Sequence, residues 1–204
     1  MRCSCLFLAV ILLCCFPASL YGDVVLYETF DETTGDHQGA MLIDAFHTIN
    51  NTNIDVVYNG GIFGRPCPQP EANTCVDMDG TAGYPGDPQG QLQSTMLFPA
   101  GNYFLSFDLV GSQRGQTASV TVLFGNYNQT FTLMSNDDTT GIITNQPVTL
   151  DSPGYLEFLS NTPGNIGLVL DNVFVSSGTP TPEPSSLILL GSGLLLAAGR
   201  FRRR

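Results

Sequence analysis

Short β-prone runs alternate with turn residues between Val24 and Val175, and this rhythm constrains the fold more than any other feature of the chain. Nine such runs are present, at residues 24–28, 54–58, 91–98, 103–109, 118–124, 127–133, 142–150, 154–159 and 166–175. Gly, Pro, Asn and Asp separate them at intervals typical of all-β sandwiches and barrels. No sustained helical period interrupts the pattern. The sequence therefore predicts an all-β, two-sheet jelly-roll β-sandwich over residues 23–178.

The run at residues 103–109 shows the expected two-residue period. It should direct Tyr103, Leu105, Phe107 and Leu109 to one face of a sheet and Phe104, Ser106 and Asp108 to the other. Further on, Gly125 and Asn126 separate two β-prone runs and predict a tight hairpin turn.

Residues 1–22 have the organisation of a secretory signal peptide. Arg2 is followed by an apolar run of ten residues, 6–15, and then by small or turn-forming residues up to Gly22. A bilayer-spanning helix needs about 20 apolar residues, so the run is too short to span. We predict cleavage after Gly22, with lipidation at a cysteine as the alternative.

The C-terminal residues 179–204 have three parts in a fixed order. A Pro-rich linker at 179–184 precedes an apolar segment at 187–198, and Arg200, Arg202, Arg203 and Arg204 end the chain. The segment from Ser185 to Phe201 would give a helix of about 25 Å, enough for a thin membrane crossing. Arginines on one flank orient such a helix with the body outside and the tail in the cytoplasm. The inner membrane should therefore hold the precursor.

These three parts, with Pro182-Glu183-Pro184 in the linker, resemble the PEP-CTERM sorting signal. This signal belongs to exported proteins of Gram-negative bacteria that make exopolysaccharide. The resemblance implies recognition by an exosortase, a membrane enzyme that processes its substrate near the Pro-Glu-Pro motif. It also implies delivery to the cell surface or the extracellular matrix. An ordinary C-terminal anchor is the alternative interpretation.

The body is similar to the galactose-binding-like jelly rolls found in many PEP-CTERM proteins. The similarity rests on residues 103–107, a central Tyr-x-Leu-Ser-Phe strand, and on residues 170–173, a closing Leu-Asp-Asn-Val strand. It supports the fold and implies no particular activity.

The charge distribution excludes nucleic acid as a partner. From Asp23 to Pro182 the body has 17 acidic residues and only Arg65 and Arg114 as basic residues, a net charge of −15. A body this acidic cannot neutralise phosphates. The chain also lacks lysine, which excludes Schiff-base and Walker-type chemistry.

Two cysteines, Cys67 and Cys75, remain after removal of the signal peptide. In an exported protein this spacing predicts one local disulfide. A zinc site is the alternative, but no histidine is near in the sequence.

The sequence contains no convincing catalytic set. His37 and His47 lie in a polar stretch, and the Gly191-Ser192-Gly193 segment has the wrong spacing for a nucleophile elbow. Asp108 and Glu157 lie on predicted strands and could serve a glycosidase only if the fold placed them together. We therefore predict that the protein is not an enzyme.

Calcium is the one cofactor that the residues suggest, as a single structural ion. Asp31 and Asp36 lie in the loop after the first strand, and Asp171 lies in the last strand. Carboxylate oxygens are preferred calcium ligands, and galactose-binding-like jelly rolls often hold such an ion between an early loop and the last strand. A solvated acidic surface is the alternative.

Arg114 is the candidate ligand-binding residue. It lies in a loop between two strands, where a guanidinium could bind sugar hydroxyls or a uronate. A salt bridge with an aspartate is the alternative. Tyr58, Tyr84 and Tyr127 could supply aromatic contacts to a sugar.

Together these features predict an exported, envelope-associated, non-enzymatic protein that acts in the extracellular polysaccharide matrix or at the cell surface. The alternatives are a carbohydrate-binding module with a defined sugar ligand, with exopolysaccharide as partner, and a secreted glycoside hydrolase.

Overall fold

Thirteen β-strands and no helix make up the part of the chain that the structure describes. This computed structural model describes residues 22–31, 36–43, 45–59, 61, 67–68 and 74–178. The strands are β1 (Val24–Glu28), β2 (His37–Ala40), β3 (Leu42–Ile43), β4 (Phe46–Thr48), β5 (Ile54–Tyr58), β6 (Thr74–Asp77), β7 (Gln91–Ser94), β8 (Gly101–Val110), β9 (Ala118–Phe124), β10 (Tyr127–Leu133), β11 (Gly141–Leu150), β12 (Glu157–Ser160) and β13 (Val169–Ser177).

Two antiparallel sheets contain all of these strands. The larger sheet has the order β11-β8-β13-β6-β5-β2, and β1 pairs with β13 beside β6. The smaller sheet has the order β10-β9-β12-β7-β4-β3. The predicted all-β jelly-roll sandwich is confirmed.

The alternation of buried and exposed residues along β8 explains how the sheets pack. Tyr103, Leu105, Phe107 and Leu109 are buried, whereas Phe104, Ser106 and Asp108 are partly exposed, as the sequence predicted. Phe107 packs edge-on against Phe131 and Phe158 of the smaller sheet, with ring centroids 5.7 and 5.4 Å away. Aromatic rings from both sheets therefore form the centre of the core.

The predicted hairpin turn is present between β9 and β10. Gly125 has a φ of +56°, and a Cβ there would lie 2.4 Å from the carbonyl oxygen of Thr149. Both the backbone conformation and the close approach require glycine at this position.

A β-bulge in β13 determines which of its residues face outward. Asp171 pairs with Asp108, and Phe174 pairs with Ser106, so the register shifts between them. Asn172, with a φ of +51°, lies in this shifted segment. The extra residue lets Asp171 and Phe174 point to the same side of the larger sheet.

Candidate functional site

Several predicted functional segments lie outside the described residues. These are residues 1–21 of the predicted signal peptide 1–22, the sorting motif Pro182, Glu183 and Pro184, and the tail of Arg200, Arg202, Arg203 and Arg204. Within the described ranges, no helix is long and apolar enough to cross a membrane.

The predicted disulfide between Cys67 and Cys75 is present, with a Cα–Cα distance of 5.5 Å. Both residues are buried against a small apolar cluster of Val57, Val110 and Val169. Val110 pairs with Val169, and Cys75 pairs with Val57, on the side of the larger sheet away from the main core. The disulfide therefore covers part of the outer face of that sheet.

Arg114 forms a buried ion pair with Asp77 at the end of β6. Its guanidinium also donates a hydrogen bond to the backbone oxygen of Asn165 at 3.3 Å. The Arg114 side chain is 19% exposed and that of Asp77 is 2% exposed. The salt bridge that the sequence left open as an alternative is therefore formed, with a partner 37 residues away.

Two carboxyl groups, Asp77 and Asp79, are buried beside this arginine. Burial raises the pKa of Asp77 to about 7, although Arg114 acts to lower it. The Asp77 carboxylate accepts hydrogen bonds from the backbone N–H groups of Asp79 and Gly167. Burial also raises the pKa of Asp79 to about 6, although the Ser160 side chain and the backbone of Gly90 act to lower it. Neither group comes within normal hydrogen-bond geometry of the Asp79 oxygens, and no other described residue does. Holding these carboxylates in their charged form away from water is energetically unfavourable at this end of the sandwich.

Asp171 is fully buried where β1 ends beside β13. Burial first, and then the charges of Asp31, Asp108 and Glu28, together raise its pKa to about 8. Its Oδ1 accepts a hydrogen bond from the backbone of Asn172, and its Oδ2 has no partner among the described residues. A divalent cation here would offset the repulsion between Asp171 and the neighbouring carboxylates. It would also give the Asp171 Oδ2 a partner.

The other two predicted calcium ligands have different surroundings. Asp31 accepts a hydrogen bond from the backbone of Thr74, and Asp36 accepts one from the backbone of Tyr58. Thr74 and Tyr58 are register partners on β6 and β5. Within the described ranges, no group of three or more His, Cys, Asp or Glu side chains is placed to hold a metal ion. Asp171 alone is therefore a better candidate for a cation ligand than the predicted set of Asp31, Asp36 and Asp171.

Asp108 and Glu157 lie on opposite outer faces of the sandwich. Asp108 is on the outward side of β8 and accepts a hydrogen bond from Asn172. Glu157 is on the outward side of β12, in the other sheet, and accepts one from Gln93. The fold therefore separates the two carboxylates that could have served as a glycosidase pair.

The two histidines also lie in different sheets. His37 pairs with Val56 in the larger sheet, and His47 pairs with Gln93 in the smaller one.

Sequence reasoning missed an aromatic face on the larger sheet, formed by Tyr27, Phe104 and Phe174. Tyr27 is 67% exposed and contacts Phe174 edge-on, with centroids 6.1 Å apart. The alternation in β8 and β13 places both phenylalanines opposite the core-facing side and could have signalled them. The tyrosines considered from the sequence are elsewhere, with Tyr58 on β5, Tyr84 in a loop and Tyr127 buried in the smaller sheet.

In a comparison with protein families, residues 180–204 match the PEP-CTERM protein-sorting motif. The chain is thus an exosortase-targeted surface protein. It is exported and anchored in the membrane through its C-terminus before an exosortase processes it. The predicted sorting signal is confirmed. Comparison with curated proteins finds no match.

Several solved structures are similar to this chain at low identity. A cleaved adhesin domain of Lys-gingipain from Porphyromonas gingivalis w83 is 16% identical, with a TM-score of 0.47, over 76% of this chain and 100% of that domain. A variant of a family 29 carbohydrate binding module is 14% identical, with a TM-score of 0.34, over 76% and 92%. The catalytic domain of a GH87 alpha-1,3-glucanase is 13% identical, with a TM-score of 0.32, over 78% and 30%. Likenesses this distant do not transfer a ligand or an activity.

Proposed function

We propose that this surface protein is non-enzymatic and acts in the extracellular polysaccharide matrix. The observation that carries the proposal is the separation of Asp108 and Glu157 on opposite faces of the sandwich. Glycosidases place two carboxyl groups about 5–10 Å apart around one bond. In this protein the two carboxylates point away from each other on opposite faces. The two sheets that separate them are already packed about 10 Å apart.

The buried carboxyl groups support the same conclusion. Asp77, Asp79 and Asp171 are each at most 2% exposed, so a substrate could not reach them without opening the fold. Their raised pKa values therefore reflect burial in the structure and not a catalytic role.

Hydrolysis assays test the non-enzymatic part of the proposal. The purified protein, Asp108→Asn and Glu157→Gln would be incubated with neutral and acidic polysaccharides, and released reducing ends would be measured. We expect all three to match the buffer blank. Turnover by the unchanged protein that falls in either variant would contradict the proposal.

Matrix retention tests the second part. The tagged chain should co-purify with the extracellular polysaccharide of the producing cells, and enzymatic removal of that polysaccharide should release it. Surface protein that is unaffected by polysaccharide removal would contradict a role in the matrix.

We also propose one structural calcium ion, bound through Asp171. The buried Oδ2 without a partner and the neighbouring charge of Asp31 support this placement. Asp36 contributes less support, because the carboxylates whose charges act on Asp171 are those of Asp31, Asp108 and Glu28. Calcium at this position would supply the positive charge that the buried acidic residues lack.

A further inference from the structure

We propose that the aromatic face of Tyr27, Phe104 and Phe174 binds an uncharged polysaccharide chain. This inference rests on the matrix role proposed above and gives that role a binding surface and a ligand class. It differs from the sequence expectation, which placed sugar contacts at Arg114.

The register of the sheet makes this surface continuous. Tyr27 pairs with Phe174 and Phe174 pairs with Ser106, while Phe104 pairs with Ser176 on one side and with Pro147 on the other. Phe104 is therefore the diagonal neighbour of Phe174, a relationship that keeps large side chains within reach. From β1 to β8 the aromatic face crosses two strand spacings, roughly 10 Å. Two linked sugar rings could lie across it.

The aromatic face lies on the half of the sheet that the disulfide does not cover, with Tyr27 exposed and Phe104 and Phe174 partly exposed. Cys67 and Cys75 cover Val57, Val110 and Val169, whose side chains are at most 2% exposed. Tyr27 and Val24, on β1, are 67% and 62% exposed. Large apolar side chains that remain open beside a covered region mark a binding surface.

The chemistry around the aromatic face favours a neutral, hydroxylated ligand. Ring faces can stack on the C–H faces of sugars, and the hydroxyl and amide groups of Ser106, Asn172 and Thr149 lie on the same side of the sheet. The described residues of this face include no arginine, and Asp108 is the charged residue at its border. An acidic polymer would therefore meet no counter-charge here.

The net charge argues against the other occupants. A body at −15 repels a second copy of itself and also repels an anionic lipid surface. An uncharged polymer has no such penalty. Neutral polysaccharide is thus the occupant that the surface and the charge favour together.

Affinity electrophoresis tests this inference with the full chain in lipid nanodiscs and empty nanodiscs as the blank. The gels would contain dextran, soluble starch, galactomannan or xylan, and alginate would serve as the acidic polymer. We expect at least one neutral polymer to retard the protein, with no retardation by alginate. Tyr27→Ala should weaken that retardation about tenfold, as truncation of an interface hot spot does.

Two comparisons make the test specific to this surface. Tyr155→Ala removes a tyrosine that is 39% exposed and lies next to β12 of the smaller sheet, so it should leave retardation unchanged. Phe104→Ala should weaken binding as Tyr27→Ala does, with a melting temperature showing that each variant folds.

Three results would overturn the inference. The first is no retardation by any of the four neutral polymers. The second is retardation that survives Tyr27→Ala but is lost in Arg114→Gln, which would place the sugar at the Arg114 loop. The third is self-association that Tyr27→Ala abolishes, which would assign the surface to a second copy. Retention of the protein in the matrix together with any of them would leave the proposed matrix role intact and reject only this site.

Discussion

Arg114 and Asp77 lie 37 residues apart in the chain and form a buried ion pair in the fold. The pair joins the loop after β8 to the end of β6. Asp77 also accepts two backbone hydrogen bonds, from Asp79 and Gly167. One carboxylate thus fixes three separate segments at this end of the sandwich.

Arg114→Met should destabilise the body, because it leaves the Asp77 carboxylate buried without its cation. Breaking a buried ion pair from one side typically costs about 3–5 kcal/mol. The partial exposure of the arginine places this case at about 3 kcal/mol. Urea unfolding of residues 23–178 at pH 8 measures the loss.

The matched control is the double variant Arg114→Met, Asp77→Asn, which removes the charge together with its partner and should recover most of the stability. If Arg114→Met alone stays within about 0.5 kcal/mol of the unchanged protein, the pair behaves as an exposed one and our description of this end is wrong.

Asp79→Asn should stabilise the body at neutral pH and have no such effect in acid. The pKa of Asp79 is raised from 3.8 to about 6 by burial, so the folded state holds its proton more tightly than the unfolded chain does. The stability that this protonation provides is complete below about pH 4 and is lost as the pH rises through 6. The Asp79→Asn variant has no carboxyl group to ionise and does not lose this stability. Its free energy of unfolding should therefore exceed that of the unchanged protein by about 3 kcal/mol above pH 7.

Urea unfolding between pH 4 and pH 8 measures the effect of Asp79→Asn. Asp151→Asn, in the exposed turn after β11, is the matched control and should show a flat difference. A flat difference for Asp79→Asn as well would mean that its carboxylate is solvated.

Replacement of both Cys67 and Cys75 by alanine should cost about 2–3 kcal/mol, because the disulfide closes a loop of nine residues. Some apolar contact with Val57, Val110 and Val169 is lost as well. Thermal unfolding with and without reductant measures the cost. Reductant should destabilise the unchanged protein and leave the double variant unaffected, and equal effects on both would contradict the prediction.

Calcium should raise the melting temperature of the body more than magnesium does. Binding to the folded state alone adds about 2.7 kcal/mol at a hundredfold excess over Kd. Asp171→Asn should remove this response while keeping the shape of the side chain. Equal shifts with both ions would indicate simple screening of the acidic surface.

The sequence was sufficient for the long, regular strands. Residues 103–109 alternate so strictly that burial in β8 could be assigned residue by residue. The short strands β2, β3, β4 and β6 were not predicted, because none is longer than four residues and each carries too little period on its own. They form where neighbouring strands pair with them, as β5 does with β2 and β7 with β4.

The site was harder to predict than the fold, because its chemistry depends on contacts between distant segments. The ion pair of Arg114 with Asp77 and the burial of Asp171 both arise from sheet pairing. The aromatic face depends on the bulge at Asn172, which aligns Phe174 with the outward side of β8. The ion pair and the burial of Asp171 have no local sequence signal, whereas the alternation in β8 and β13 could have signalled the outward phenylalanines.

Residues 180–204 sort the protein. The mass of the surface form tests this most directly. The tagged protein would be recovered from the surface of producing cells and its C-terminus determined by mass spectrometry. We predict a surface form that lacks the arginine cluster, and an unprocessed, membrane-held chain when Pro182, Glu183 and Pro184 are all replaced by alanine. An intact C-terminus at Arg204 on surface protein, in equal amounts for both chains, would contradict the account.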